Sequence, residues 1–126
     1  MIRRISLGVG EDATYCSCAV AGDFIFTSHQ GGGQHSDQIE VQLEAAFKNL
    51  EEALQAAGAS LDDIVQINLL LKELADFHRA EAVFRKVFTK GYPPRSTYKT
   101  EFIAPQILVQ IDAIAYRPSP TAQVSR

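Results

Sequence analysis

Apolar residues recur along this chain with two different periods, and each change of period marks an element. Ile2 to Ser6, Tyr15 to Val20 and Phe24 to Thr27 are short apolar-rich runs. The last two flank Ala21-Gly22-Asp23, which predicts a β-hairpin. From Leu43 the apolar positions continue at Ala46, Phe47, Leu50, Leu54 and Ala57, the three-and-four spacing of one helix face. Asp37 is expected to cap that helix, with Glu40 at the capping-box position and Gly58 as its stop. Ser60-Leu61-Asp62-Asp63 then turns the chain into Ile64 to Lys72. There Val65, Ile67, Leu69 and Leu71 alternate with Gln66, Asn68 and Lys72, as in a half-buried strand. A second helix is predicted from about Asp76, with Phe77, Ala80, Val83, Phe84, Val87 and Phe88 inward. Gly91-Tyr92-Pro93-Pro94 ends it, because proline cannot continue a helix. Two strands close the pattern, Arg95 to Phe102 and Ile107 to Tyr116, joined through Ala104-Pro105.

The resulting order, ββ(β)-α-β-α-β-β, is an α+β sheet with two helices. Two helices cover only one face of such a sheet. In the last strand Ile107, Val109, Ile111, Ala113 and Ala115 share one face; Leu108, Gln110, Asp112, Ile114 and Tyr116 share the other. The second set would leave an apolar sheet face partly wet, which points to a homo-oligomer.

With 126 residues, 46% of them hydrophobic and 21% charged, the chain reads as one globular domain, residues 1–117, followed by a flexible tail, residues 118–126. No apolar run approaches the roughly 20 residues of a membrane span, and the N-terminus shows no signal-peptide pattern, so a cytoplasmic protein is expected. A net charge of −3 argues against general nucleic-acid binding, which draws its affinity from neutralising phosphates.

Candidate chemistry is sparse. Arg95 opens a strand directly after Pro93-Pro94, so its guanidinium is well placed for bidentate capture of a carboxylate, although a solvated strand-end arginine fits the same spacing. Cys16 and Cys18 read as small buried free thiols; with only His29, His35 and His78 elsewhere they lack zinc-ligand spacing, and no metal is expected. Gly31-Gly32-Gly33 is not followed by Gly-Lys-Ser/Thr and reads as a mobile loop. Glu40, Glu44, Lys48, Glu51 and Glu52 read as a solvated helix face with a Glu44–Lys48 pair.

Four strings nevertheless form a set. They are Tyr15-x6-Gly22 running into Phe24-Ile25-Phe26-Thr27-Ser28-His29-Gln30, then Ala56-Ala57-Gly58-Ala59-Ser60-Leu61-Asp62-Asp63-Ile64-Val65, Tyr92-Pro93-Pro94-Arg95-Ser96-Thr97, and Gln110-Ile111-Asp112-Ala113-Ile114-Ala115. In this order they span nearly the whole chain and resemble the Rid family, also called YjgF-like or L-PSP-like proteins. The resemblance implies a chorismate-mutase-like fold, a mixed six-stranded sheet with two helices on one face, assembled as a homotrimer with clefts between subunits. It implies cofactor-free hydrolysis of enamine and imine intermediates such as 2-aminoacrylate to 2-keto acids and ammonia. Arg95 would clamp the substrate carboxylate, Tyr15 line the cleft, Ser28 and His29 supply backbone contacts, and Thr97 sit beside the ligand. Three positions depart from the family pattern: Gln110 replaces a water-activating glutamate, His29 a glycine, and Glu81 an asparagine of the second helix. A glutamine holds water but accepts no proton at neutral pH, whereas a histidine brings a group that titrates near neutrality. A carboxylate-binding homologue without turnover is the first alternative, and an RNA-directed activity the second.

Overall fold

The computed structural model describes residues 1–118; the rest of the expected tail, 119–126, lies outside the described residues. Six strands form one mixed sheet: β1 (Ile2–Ile5), β2 (Cys18–Ala21), β3 (Phe24–Thr27), β4 (Ile64–Leu71), β5 (Arg95–Lys99) and β6 (Val109–Tyr116). Their order across the sheet is β1-β2-β3-β6-β4-β5. Only the β4–β5 pair is parallel. That is the pair bridged by a helix, as a parallel connection requires. The helices are α1 (Ile39–Ala56) and α2 (Phe77–Val87).

Strand alternation sets what each face meets. Val109, Ile111, Ala113 and Ala115 of β6, with Ile67, Leu69 and Leu71 of β4, point into the core. There they meet Leu43, Ala46, Phe47, Leu50 and Leu54 of α1 and Ala80, Val83 and Phe84 of α2. Each buried Leu, Ile or Phe stabilises the fold by about 1.5–3 kcal/mol. Phe47, Phe84 and Phe88 join the two helices, with ring centroids 5.2 to 5.8 Å apart. The opposite face is uncovered, as two helices dictate: Phe24, Phe26, Tyr98 and Tyr116 are exposed there, and Leu70 and Ile114 half-buried.

Several local expectations change. Val65 is not a core residue. The β4–β6 pairing slips between Ile64 and Gln66, and this bulge buries Ile64 and turns Val65 outward. Helix α1 begins one residue later than an Asp37 cap would allow: Gln38 is its N-cap and makes no side-chain capping bond. Glu40 instead binds Arg79 of α2, Arg79 Nε donating at 2.9 Å, and Glu44 pairs with Lys86 of α2 at 2.7 Å rather than with Lys48. The capping box forms at Ser60 and Asp63. Strand β2 begins only at Cys18, β5 stops at Lys99 and β6 starts at Val109, so Tyr15, Phe102 and Ile107 lie in connections.

The glycine run is not a mobile loop. A β-carbon on Gly32 would stand 2.9 Å from Ala45 Cβ, Gly33 adopts φ +60°, and Asn49 Nδ2 donates to the Gly31 carbonyl at 2.6 Å. The run is therefore packed onto α1, and at Gly32 and Gly33 a side chain would clash or be strained. Gln42 does the same for other segments. Buried within α1, it donates to the Ser36 and Gln106 carbonyls at 2.9 Å and accepts from Leu108 N–H at 2.8 Å.

Candidate functional site

The parallel register pairs Arg95 with Ile67 and Thr97 with Leu69, so both side chains rise on the helix-bearing face at the β5 edge. There the Arg95 guanidinium lies over the rings of Phe84 and Phe77, 5.0 and 5.3 Å from their centroids. Its Nε donates to Thr97 Oγ1 at 3.1 Å, and its Nη2 approaches Glu81 Oε2 of α2 at 3.4 Å. The Arg95 and Glu81 side chains are 23% and 28% exposed. Pro93 and Tyr92 complete a pocket of about 350 Å³ with Glu81, Phe84, Arg85 and Arg95. Cation–π contact and the Thr97 bond fix the plane of the fork, and the Glu81 carboxylate approaches one of its nitrogens.

A larger cavity, about 810 Å³, opens on the other face of the sheet. Leu70 pairs with Gln110 and Asn68 with Asp112, and all four point away from the helices. Tyr15, Ser28, His29 and Phe26 form a second wall, with Glu101, Phe102 and Ile103 from beyond β5. Gln110 stands against the glycine run: a β-carbon on Gly31 would lie 3.4 Å from Gln110 Cγ. The described residues offer its amide no hydrogen-bond partner, which leaves it available to a water or ligand. The Ser28 hydroxyl is engaged: it donates to the Ser17 carbonyl at 3.2 Å and accepts from Gln30 Nε2 at the same distance. Tyr15 is 62% exposed and sits at the rim.

The expected site residues therefore fall into two groups. Arg95 and Thr97 share the edge pocket; Tyr15, Ser28, His29 and Gln110 share the open-face cavity. Within one chain the sheet itself separates them. The cavity lining contains Asp112 and Glu101 but neither Lys nor Arg, while the edge pocket holds the guanidinium.

Sequence reasoning missed Asp112 and Asn68 as site residues and counted Phe77 and Phe84 only as core. Asn68 Nδ2 donates to Asp112 Oδ1 at 2.8 Å, and Asp112 Oδ2 lies 3.1 Å from His29 Nδ1. The available signal was polar residues at alternating positions of two strands, which becomes informative only once the strands are paired. The thiols differ from each other: Cys18 is buried, with its pKa pushed up by burial and then by Cys16, while Cys16 is half-buried. Among the described residues no cluster of His, Cys, Asp or Glu could hold a metal ion, and no helix is long and apolar enough to cross a membrane.

A mixed six-stranded sheet of this order with two helices on one face is the fold of YjgF-family proteins. The chain belongs to that family: residues 10–117 match the family model described as endoribonuclease L-PSP. The chain is 29% identical over 109 residues to a RutC family protein of Pyrococcus abyssi, covering 82% of this chain and 86% of that one. It is 27% identical over 134 residues to the human 2-iminobutanoate/2-iminopropanoate deaminase, covering 98% of each chain. Among solved structures, a yjgF-family hypothetical protein from Streptococcus pyogenes M1 GAS superposes with a TM-score of 0.83 at 32% identity, covering 94% of this chain and 98% of that one.

Proposed function

We propose that this protein hydrolyses reactive enamine and imine intermediates of small amino acids, of the 2-aminoacrylate kind, to 2-keto acids and ammonia. The reaction would take place in clefts completed between copies of a homotrimer. One observation above all supports the reading: the polar cavity that can order water has no cation among its lining residues, and the stacked arginine sits on the other side of the same sheet. A second copy laid with its β5 edge against the open face would bring the two halves together and cover Phe26 and Tyr98. The naming of a full-length relative as an iminobutanoate/iminopropanoate deaminase supports the chemistry.

In this reading Arg95 of one copy binds the substrate carboxylate, and Thr97 holds the guanidinium at the required angle. Gln110 of the neighbouring copy positions water, with Ser28 and Tyr15 shaping the wall. A protonated imine carbon is already electrophilic, so fixing the carboxylate and one water supplies most of the modest catalysis needed. A carboxylate-binding protein without turnover is the second reading, favoured by the Gln110 amide, which cannot take a proton from water. An RNA-directed activity is named in the family model's description, but the lining of this cavity holds no Lys or Arg to meet phosphates.

The test is a coupled assay in which an amino-acid oxidase or lyase generates imines and 2-keto acid release is followed with and without the protein. Accelerated release, together with a light-scattering mass of three chains, is expected. Replacing Arg95 by Ala should weaken 2-keto acid binding by about 1.5–3 kcal/mol, roughly ten- to a hundredfold. Accelerated release that is unchanged in Arg95→Ala would remove the clamp, and no acceleration for any imine would leave the binding-only reading.

A further inference from the structure

We propose that His29, oriented by Asp112, is the proton acceptor for the attacking water, in the role that Gln110 cannot fill. The inference rests on the deaminase reading above and names the catalytic group within it.

The geometry is built by strand pairing. Phe26 lies opposite Ile114 and Gln30 opposite Ile111, so four steps of one chain segment face three of the other. The extra residue sits between Thr27 and His29, where the Thr27 hydroxyl takes over the Ala113 N–H at 3.0 Å. Past this irregularity His29 lines the open-face cavity beside Asp112.

Three side chains from three elements then form one chain of contacts. Asn68 of β4 donates to one oxygen of Asp112 of β6, and the other oxygen lies 3.1 Å from His29 Nδ1 beyond β3. An ionised carboxylate only accepts, so in this proposal Nδ1, the nitrogen beside Asp112, carries the ring proton and the lone pair is at Nε2. Asp112 is 22% exposed and held through Oδ1 by Asn68; the His29 side chain is 60% exposed on the cavity wall. The anchored member thus sits inside and the proton-accepting member faces the space where substrate would bind. Gln110 lies two residues from Asp112 on the same face of β6, about 7 Å along the strand, and lines the same cavity as His29. The other titratable groups facing His29 across the cavity are Tyr15 and Glu101.

The step balances without a cofactor. Water oxygen bonds to the carbon of the protonated imine, the C=N π pair moves onto nitrogen, and the released water proton goes to His29 Nε2. His29 then returns that proton to the amine of the carbinolamine. As the C–N bond breaks, the hydroxyl proton leaves with the departing ammonia, giving the 2-keto acid and ammonium with His29 restored. His29 is the catalytic residue; Asp112 and Asn68 are positioning residues that hold its ring and tautomer.

The test uses the coupled imine assay on the full chain. His29→Gln, of similar volume, should lower kcat about a hundredfold with KM changed little, since acid–base assistance is typically worth about 10²–10⁴. His29→Ala should recover part of its loss on addition of free imidazole, which a merely structural residue would not allow. Asp112→Asn should lower kcat about tenfold and, by ¹⁵N NMR of the histidines, shift the His29 proton from Nδ1 toward Nε2, a readout independent of turnover. Wild-type protein that hydrolyses imines, with His29→Gln within twofold of it and no imidazole rescue, would overturn this inference and leave the deaminase reading standing. A wild type that accelerates no imine hydrolysis would overturn both.

Discussion

Removing one negative charge from the edge pocket should make this protein a better carboxylate binder. Glu81 Oε2 lies 3.4 Å from Arg95 Nη2, so an incoming monocarboxylate must share the guanidinium with a resident one and meet its repulsion. Two unit charges at that distance interact by about 5 kcal/mol at an effective dielectric constant near 20. Both side chains are about a quarter exposed, however, and water screens most of this; pairs at such sites are worth about 0.2–1 kcal/mol in double-mutant cycles. The upper end applies, because Phe84, Phe77 and Thr97 already fix the guanidinium and little side-chain entropy offsets the attraction. Glu81→Gln should therefore tighten pyruvate or 2-ketobutyrate binding by about 1 kcal/mol, roughly fivefold, measured by isothermal titration calorimetry. The gain should shrink at high salt, and the methyl ester of the same acid should show none. Glu81 also has His78 Nδ1 at 3.8 Å, an i,i+3 neighbour on α2 that stays in place in the variant. Equal or weaker carboxylate binding by a folded Glu81→Gln protein would refute the claim that the two carboxylates compete for Arg95.

Three further expectations come from other parts of the molecule. Gln110→Glu alone should raise imine hydrolysis no more than a few-fold, because His29 already serves as base, but in a His29→Gln background it should restore about tenfold; kcat for the four proteins of this cycle decides it. Gly32→Ala should destabilise the fold by about 1–3 kcal/mol, read as a lower urea midpoint, because the new methyl would meet Ala45 Cβ at 2.9 Å; an unchanged midpoint would mean the glycine run is looser than described. Burial pushes the Cys18 thiol above its ordinary value of 9.0, so at pH 8 iodoacetamide should modify Cys16 first and leave Cys18 slow, as mass spectrometry of the labelled peptides would show. The same raised value means that the folded state loses stability as pH climbs past 9, since the unfolded thiol ionises first.

The elements were legible wherever a period ran long enough. Helix α1 and strand β6 emerged from their apolar positions with the buried sets Leu43 to Leu54 and Val109 to Ala115 as expected. The bulge at Val65 could not be read, because alternation in one strand says nothing of a slip against its partner. Nor could the partners of Glu40 and Glu44, since spacing along one helix offers Lys48 but cannot show that α2 brings Arg79 and Lys86 across. For the site, Arg95, Thr97, Gln110 and His29 were nameable from strings, and their placement on two faces was implicit in the β4–β5 and β4–β6 registers. What stayed hidden was anything made by side chains from separate strands, the Asn68–Asp112–His29 contacts above all.

Placing the cation on one face and the water-ordering cavity on the other has a genetic corollary. If each cleft takes its arginine from one subunit and its histidine from the next, an Arg95→Ala chain and a His29→Gln chain are each strongly impaired alone yet defective in different halves. Unfolded together in equal amounts and reassembled, they would form mixed rings in which about one cleft in four receives both intact halves, and activity would return to roughly a quarter of the wild-type level. Two lesions in one half, Arg95→Ala with Thr97→Val, could not complement in this way. The loss would then be assigned to a half-site by mixing alone, and co-expressed alleles in a living cell would sort into two classes according to the face of the sheet they alter.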